Sequence, residues 1–129
     1  MTILRKNYLY SYTHFWVNIQ KNIAICGMSD YKKFDSGELV FIELPKIGKE
    51  YQCGNSICII ESVKSVSDLY SPLSGKILTV NEKLKNIPNI INTSSYDDGW
   101  IFKISIKKPQ EINNLLSSEE YSKLINPVV

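Results

Sequence analysis

Glu61-Ser62-Val63-Lys64-Ser65-Val66-Ser67-Asp68 is a polar run of eight residues with one lysine near its middle, and the segments flanking it decide the fold. Upstream lies Ser56-Ile57-Cys58-Ile59-Ile60, a continuous β-rich run. Downstream, past Leu69-Tyr70-Ser71-Pro72-Leu73-Ser74-Gly75, a second apolar run begins at Ile77-Leu78-Thr79-Val80. A polar stretch bracketed by strand material is the pattern of a projecting β-hairpin, with Lys64 at or near its tip.

Working outward, Phe15-Trp16-Val17-Asn18-Ile19 and Ile23-Ala24-Ile25-Cys26 read as antiparallel strands joined by Gln20-Lys21-Asn22. Ser29 or Asp30 is placed to cap a helix of one or two turns that Gly37 ends. Glu38 to Leu44 is apolar on both faces at its centre and stops at Pro45, and a turn containing Gly48 leads to Tyr51-Gln52-Cys53. Beyond the hairpin, Asn81 to Asn86 is a short polar piece of helical character broken by Pro88. Trp100 to Lys107 alternates as a half-buried strand. After Pro109 the character changes: Ile112, Leu115 and Leu116 fall at helical spacing, and Ser117 with Glu120 three residues on forms a capping box. The helix it opens carries Tyr121, Leu124 and Ile125 on one side, to dock on the β body. The expected architecture is mainly β with short helices and a C-terminal helix.

The composition bounds the function. The chain has 129 residues, 43% hydrophobic and 22% charged, which is the size of one globular domain and leaves no room for separate cofactor and substrate domains. Its net charge of +2 comes from 15 cations, only one of them arginine, against 13 acids. The cations are scattered, whereas nucleic-acid binding wants a basic face and usually arginine. No apolar run is long enough to span a bilayer, and residues 1–8 lack the apolar stretch of a secretory signal, so no membrane role is expected and the start reads as cytoplasmic. Cys26, Cys53 and Cys58 are odd in number and show no Cys-x-x-Cys spacing, and His14 is the single histidine, so neither a disulfide framework nor a metal site is indicated. Cys26 and Cys58 sit in apolar runs as small buried hydrophobes. A hydrolase pairing His14 with a cysteine has no nucleophile motif behind it, and Trp16 and Trp100 read as core or cleft-wall aromatics.

The chemistry rests on Lys64. A lysine on a tight hairpin has an exposed ammonium on a four-carbon stem, a good geometry for a tether whose cargo visits several sites at an effective concentration on the order of millimolar. Spacing alone favours a plain solvated turn lysine.

At these residues the chain resembles a known family. Glu61 to Gly75 is similar to the lipoyl-attachment motif of the glycine cleavage system H proteins. Tyr12-Thr13-His14-Phe15-Trp16-Val17 resembles that family's entry strand, and Gly37 to Pro45 its second signature. Val80-Asn81-Glu82, Asp98 to Ile104 and Leu115 to Tyr121 follow in the family's order. The resemblance covers about residues 12–125 and implies a single lipoyl-carrier domain over 1–129, a monomer folded as a barrel-sandwich hybrid of two small antiparallel sheets. It implies lipoate bound covalently to Lys64 and a non-catalytic shuttle. A pyridoxal-phosphate glycine decarboxylase would load an aminomethyl group while the lipoyl disulfide is reduced. An aminomethyltransferase would pass the carbon to tetrahydrofolate and release ammonia, and a dihydrolipoyl dehydrogenase carrying FAD would reoxidise the dithiol. A lipoate ligase or lipoyl transferase would attach the arm.

Biotin carriers usually place methionine on both sides of the lysine, whereas Val63 and Ser65 flank Lys64, so lipoate is preferred. Glu61 and Asp68 are candidates for recognition of the hairpin, since acylation takes the eight-residue segment from −1 to −2; the alternative is that both acids serve solubility. The family's entry strand usually reads His-Glu-Trp, where this chain has His14-Phe15-Trp16. In the family, the carboxylate and the positions matching Thr13 and Asp68 help shield the loaded arm in a cleft, through a charge-assisted hydrogen bond worth about 1.5–3 kcal/mol. Phe15 cannot supply it. Either Asp68 compensates, or the loaded state is less protected, or the protein is an H-like relay of lipoate serving another redox or protein-modifying system. The family is commonly acidic, and the +2 charge is a second departure. His14 reads as a structural hydrogen-bonding residue.

Overall fold

In the computed structural model, which describes residues 3–32 and 37–127, every strand pairing is antiparallel. The strands are β1 (Leu9–Tyr10), β2 (Phe15–Gln20), β3 (Ile23–Met28), β4 (Leu39–Glu43), β5 (Glu50–Tyr51), β6 (Ser56–Ser62), β7 (Val66–Tyr70), β8 (Gly75–Val80) and β9 (Trp100–Ser105). They form a six-stranded sheet in the order β1-β2-β3-β9-β8-β5 and a three-stranded sheet in the order β4-β6-β7. Short helices α1 (Lys83–Asn86) and α2 (Ile90–Thr93) precede β9, and a 3₁₀ helix (Pro109–Asn114) precedes α3 (Ser118–Ile125). This is the mainly β architecture of two antiparallel sheets with a C-terminal helix that the sequence predicts.

The inward residues of both sheets make one core. Val17, Cys26, Phe102 and Ile104 come from the large sheet, and Leu39, Ile42, Cys58, Ile60 and Leu69 from the small one. β8 can approach β9 closely because residue 75 is glycine: a Cβ there would lie 1.7 Å from the Ser105 carbonyl oxygen. A second cluster of Tyr10, Trp16, Tyr96, Leu116 and Tyr121 holds α3 against the large sheet, with the Tyr10 and Tyr121 rings stacked 4.8 Å apart. Trp16 lies over Gly27 and donates from Nε1 to the Ser95 carbonyl at 2.9 Å.

Several expectations change in detail. The β2–β3 link is two residues, not three, because Lys21 takes φ 59°, the left-handed conformation that a tight hairpin turn demands. β4 is not buried on both faces: a bulge between Leu39 and Phe41 puts Leu39 and Ile42 inward and leaves Val40 and Phe41 about half exposed. The segment after Pro109 winds as a 3₁₀ helix instead of an α-helix. In α3 Tyr121 is fully buried, whereas Leu124 faces solvent. The capping box is present: Ser117 Oγ accepts from Glu120 N at 3.1 Å, and Glu120 Oε1 accepts from Ser117 N at 2.9 Å. Ser29 Oγ accepts from Lys32 N as helix starts at residue 30, and the rest of that expected helix falls at 33–36, outside the described residues.

Candidate functional site: the lysine hairpin

The β6–β7 hairpin is tighter than its polar sequence suggests. Strand pairing runs on through Glu61↔Val66, and only Val63, Lys64 and Ser65 lie between the strands. Among the described residues the non-glycine positions of positive φ are His14 and Lys21, so this tip uses no left-handed residue. A serine side chain closes it instead. Ser62 N donates to the Ser65 carbonyl at 2.8 Å, while Ser62 Oγ accepts from Ser65 N at 3.1 Å and from Lys64 N at 3.3 Å. Such a hydroxyl-closed turn holds the backbone at Lys64 without glycine. Lys64 is exposed, and among the described residues it makes no salt bridge. Val63 beside it is 78% exposed and Val66 64%.

Below the tip the register sorts the three strands into two faces. Ile42, Ile60 and Ser67 lie in one cross-strand row turned to the core. Phe41, Glu61 and Val66 form an outward row, and Glu43, Ile59 and Asp68 form the next outward row. Asp68 Oδ1 accepts from Ser56 Oγ at 2.7 Å on that face. Thr13 Oγ1 donates to the Tyr70 carbonyl at 3.0 Å, which ties the entry strand to the base of β7.

Phe15 is where the expected arrangement fails. Its side chain is fully buried in the core, edge-on to Phe102 at 5.4 Å, so it lines no open cleft. Its pairing with Met28 turns it inward, directly after His14 at φ 74°. His14 is structural as anticipated: Nδ1 lies 2.7 Å from the Tyr121 hydroxyl, which also meets Ser29 Oγ at 2.7 Å. Burial pushes that tyrosine up to about 12. Cys26 and Cys58 are enclosed, and desolvation raises both thiols. Cys53 is exposed, its Sγ 3.4 Å from the Pro72 carbonyl, and partial desolvation ahead of the Glu111 charge raises it as well. No group of three metal-ligating side chains gathers among the described residues, and none of their helices is long and apolar enough to cross a membrane.

Sequence reasoning missed Phe41 and Glu43. Both join the outward rows only because of the β4 bulge, which no local pattern announces. They also border a groove of about 600 Å³ along β4, walled by Leu44, Ile47 and Val80.

The family model for the glycine cleavage H-protein matches residues 8–128, so the hairpin, both sheets and α3 all fall inside it. The chain belongs to the glycine cleavage H-protein family. Relatives named glycine cleavage system H protein include one from Carboxydothermus hydrogenoformans, 42% identical over 125 residues, which cover 97% of this chain and 96% of that one. Another, from Listeria monocytogenes serotype 4b, is 41% identical over 123 residues, 95% of this chain and 98% of that one. The crystal structure of a glycine cleavage system H protein from Mycobacterium marinum superposes with a TM-score of 0.85 at 28% identity, covering 95% of this chain and 99% of that one. For this member of the family, Phe15 stands out as a residue absorbed into the core and Lys64 as one held clear of it.

Proposed function

We propose that this chain is a lipoyl carrier of the glycine cleavage system, holding lipoate as an amide on Lys64. It presents that arm in turn to the glycine decarboxylase, the aminomethyltransferase and the dihydrolipoyl dehydrogenase. The observation that carries the reading is an exposed lysine, without a carboxylate partner among the described residues, on a turn closed by Ser62 in a chain of this family. These residues fit the group. The ammonium is accessible for acylation, and nothing in the hairpin depends on its charge. When bound, lipoate supplies a redox-active disulfide that is reduced as one sulfur takes up the glycine-derived carbon.

The chain's own part is mechanical and electrostatic. Ser62 fixes the origin of the tether, so the stem of Lys64 moves about a rigid point. Tethering replaces diffusion with an effective concentration on the order of millimolar at each docked enzyme. Acylation removes one positive charge from the hairpin between Glu61 and Asp68, which lets an attaching ligase or a decarboxylase distinguish loaded from bare carrier. The three cysteines take no part, since two are enclosed and the carrier sulfurs belong to the arm.

The test is intact mass and peptide mapping of protein purified from its source. A lipoyl amide on Lys64 is expected, and Lys64→Arg is expected to abolish both the modification and support of glycine–bicarbonate carbon exchange while leaving stability unchanged. An unmodified lysine, or biotin at that position, overturns the assignment.

A further inference from the structure

The outward face of the six-stranded sheet is covered at one end only. The cluster of Tyr10, Trp16, Tyr96, Leu116 and Tyr121 packs there with α3, and beyond it lies the cross-strand row of Asn18, Ile25 and Lys103. At the step between the two is a pocket of about 330 Å³, to which Ile25 and the half-buried rings of Tyr8 and Trp100 give apolar surface. Three charged side chains line it, and they differ in how they are matched. Asp97 is paired with Arg5 through two contacts of 3.1 Å, and that guanidinium lies 4.6 Å from the centroid of the Tyr96 ring. Asp98 and Lys103 make no salt bridge among the described residues. Both are fixed at the root. Asp98 N donates to Ser94 Oγ at 3.2 Å and its carbonyl accepts from Asn81 Nδ2 at 2.8 Å, while Lys103 pairs with Ile25 on β3 and Thr79 on β8. The Lys103 ammonium lies over the Trp100 ring, 5.4 Å from its centroid. One unmatched carboxylate and one unmatched ammonium therefore share a pocket with an indole and an isoleucine.

We propose that this pocket binds a free amino acid with an aromatic side chain, its ammonium on Asp98, its carboxylate on Lys103 and its ring against Trp100 and Tyr8. The volume suits a small ligand of that kind and lies at the lower end of the range for ligand pockets. The choice of a zwitterion follows from the charges. An anion gains from Lys103 but meets Asp98, and a cation gains from Asp98 but meets Lys103, so a ligand carrying both signs makes both charge-assisted contacts without repulsion. The Asn18 amide, in the same row as Lys103, offers a further donor to the carboxylate. A residue inside a polypeptide is a poor occupant, because its amino and carboxyl groups are spent in peptide bonds. None of the lining residues belongs to the three-stranded sheet or to the Lys64 hairpin, so the pocket binds its ligand whether or not Lys64 is acylated.

The experiment uses the full-length chain with L-phenylalanine as the probe. Its two halves are 3-phenylpropanoate, which lacks the ammonium, and 2-phenylethylamine, which lacks the carboxylate. Binding is read from tryptophan fluorescence, excited where these probes do not absorb, with Trp100 in the pocket wall as the reporter. L-Phenylalanine is expected to saturate with a Kd on the order of 1 mM, and each half to bind about tenfold more weakly. D98N is expected to weaken L-phenylalanine about tenfold while binding 3-phenylpropanoate at least as well as the parent chain does. K103M is expected to weaken L-phenylalanine by a similar factor while binding 2-phenylethylamine at least as well. Both side chains lie outside the buried core, so thermal unfolding is expected to stay unchanged. K76M, on the same sheet but outside the pocket, is expected to shift the Kd less than about twofold. Equal affinities for the three probes, or D98N and K103M acting alike on both halves, overturn the paired-charge reading. Absence of a saturable change up to about fiftyfold above the expected Kd overturns the pocket itself.

Discussion

Burial sets the consequence of changing Phe15. The side chain has no exposed surface and packs edge-on against Phe102 in an apolar cluster, so a carboxylate placed there loses its hydration. Phe15→Glu is therefore expected to destabilise the fold by about 3 kcal/mol or more, read as a lowered urea midpoint, instead of restoring a polar contact to the arm. A midpoint equal to wild type would show that the side chain swings out to solvent. The departure at this residue is visible in the sequence, but its direction is not. Which way residue 15 points follows from its register with Met28, fixed by the two-residue β2–β3 turn, and from the left-handed backbone at His14, and neither shows in the hydrophobic pattern.

The two ends of the chain's legible motifs behave differently at the level of elements. The start of α3 is readable because a capping box is local: Ser117 and Glu120 satisfy each other's backbone N–H groups within a single turn. Ser117→Ala is expected to cost about 1 kcal/mol and to loosen the helix, checked by thermal unfolding and by amide exchange at Tyr121. The same box makes the helix acid-sensitive. Hydrogen bonds from the Ser117 backbone and then its side chain hold the Glu120 carboxyl below its ordinary 4.5. Folding thus favours the charged form, so the contribution is complete above that value and is lost as the pH falls through the lower folded value. Glu120→Gln is expected to remove this part of the acid dependence. The hairpin was legible as a projection bearing Lys64, yet its length was not. Polarity suggested eight looped residues, while cross-strand pairing of Glu61 with Val66 and the Ser62 hydroxyl shorten the tip to three. The β4 bulge, and with it the exposure of Phe41, leaves no trace in hydrophobic period because one extra residue shifts the alternation midway.

Across the whole molecule the two sheets share one core, and that sharing decides how the thiols behave. Cys26 on β3 and Cys58 on β6 come from different sheets yet both enter the same apolar cluster. Desolvation is the main cause of the rise at Cys26, and a charge on Cys58 would raise it further. A thiolate formed at either position would sit in the centre of the fold, so reaction there requires the sheets to separate. Cys53, between β5 and β6, is exposed and reacts without unfolding, slowed by a thiol raised above its ordinary value. This gives a count that reports on the integrity of the sandwich. In native protein whose arm is absent, through Lys64→Arg, an aromatic disulfide reagent at pH 8 is expected to titrate one thiol, slowly. In guanidinium it is expected to titrate all three. Raising the pH toward 9 accelerates the native reaction of Cys53, because folding has lifted its thiol and less thiolate is present below that range. Two or three thiols reacting at the native rate of Cys53 would mean that the sheets part readily, and that the core drawn from both does not hold as one unit.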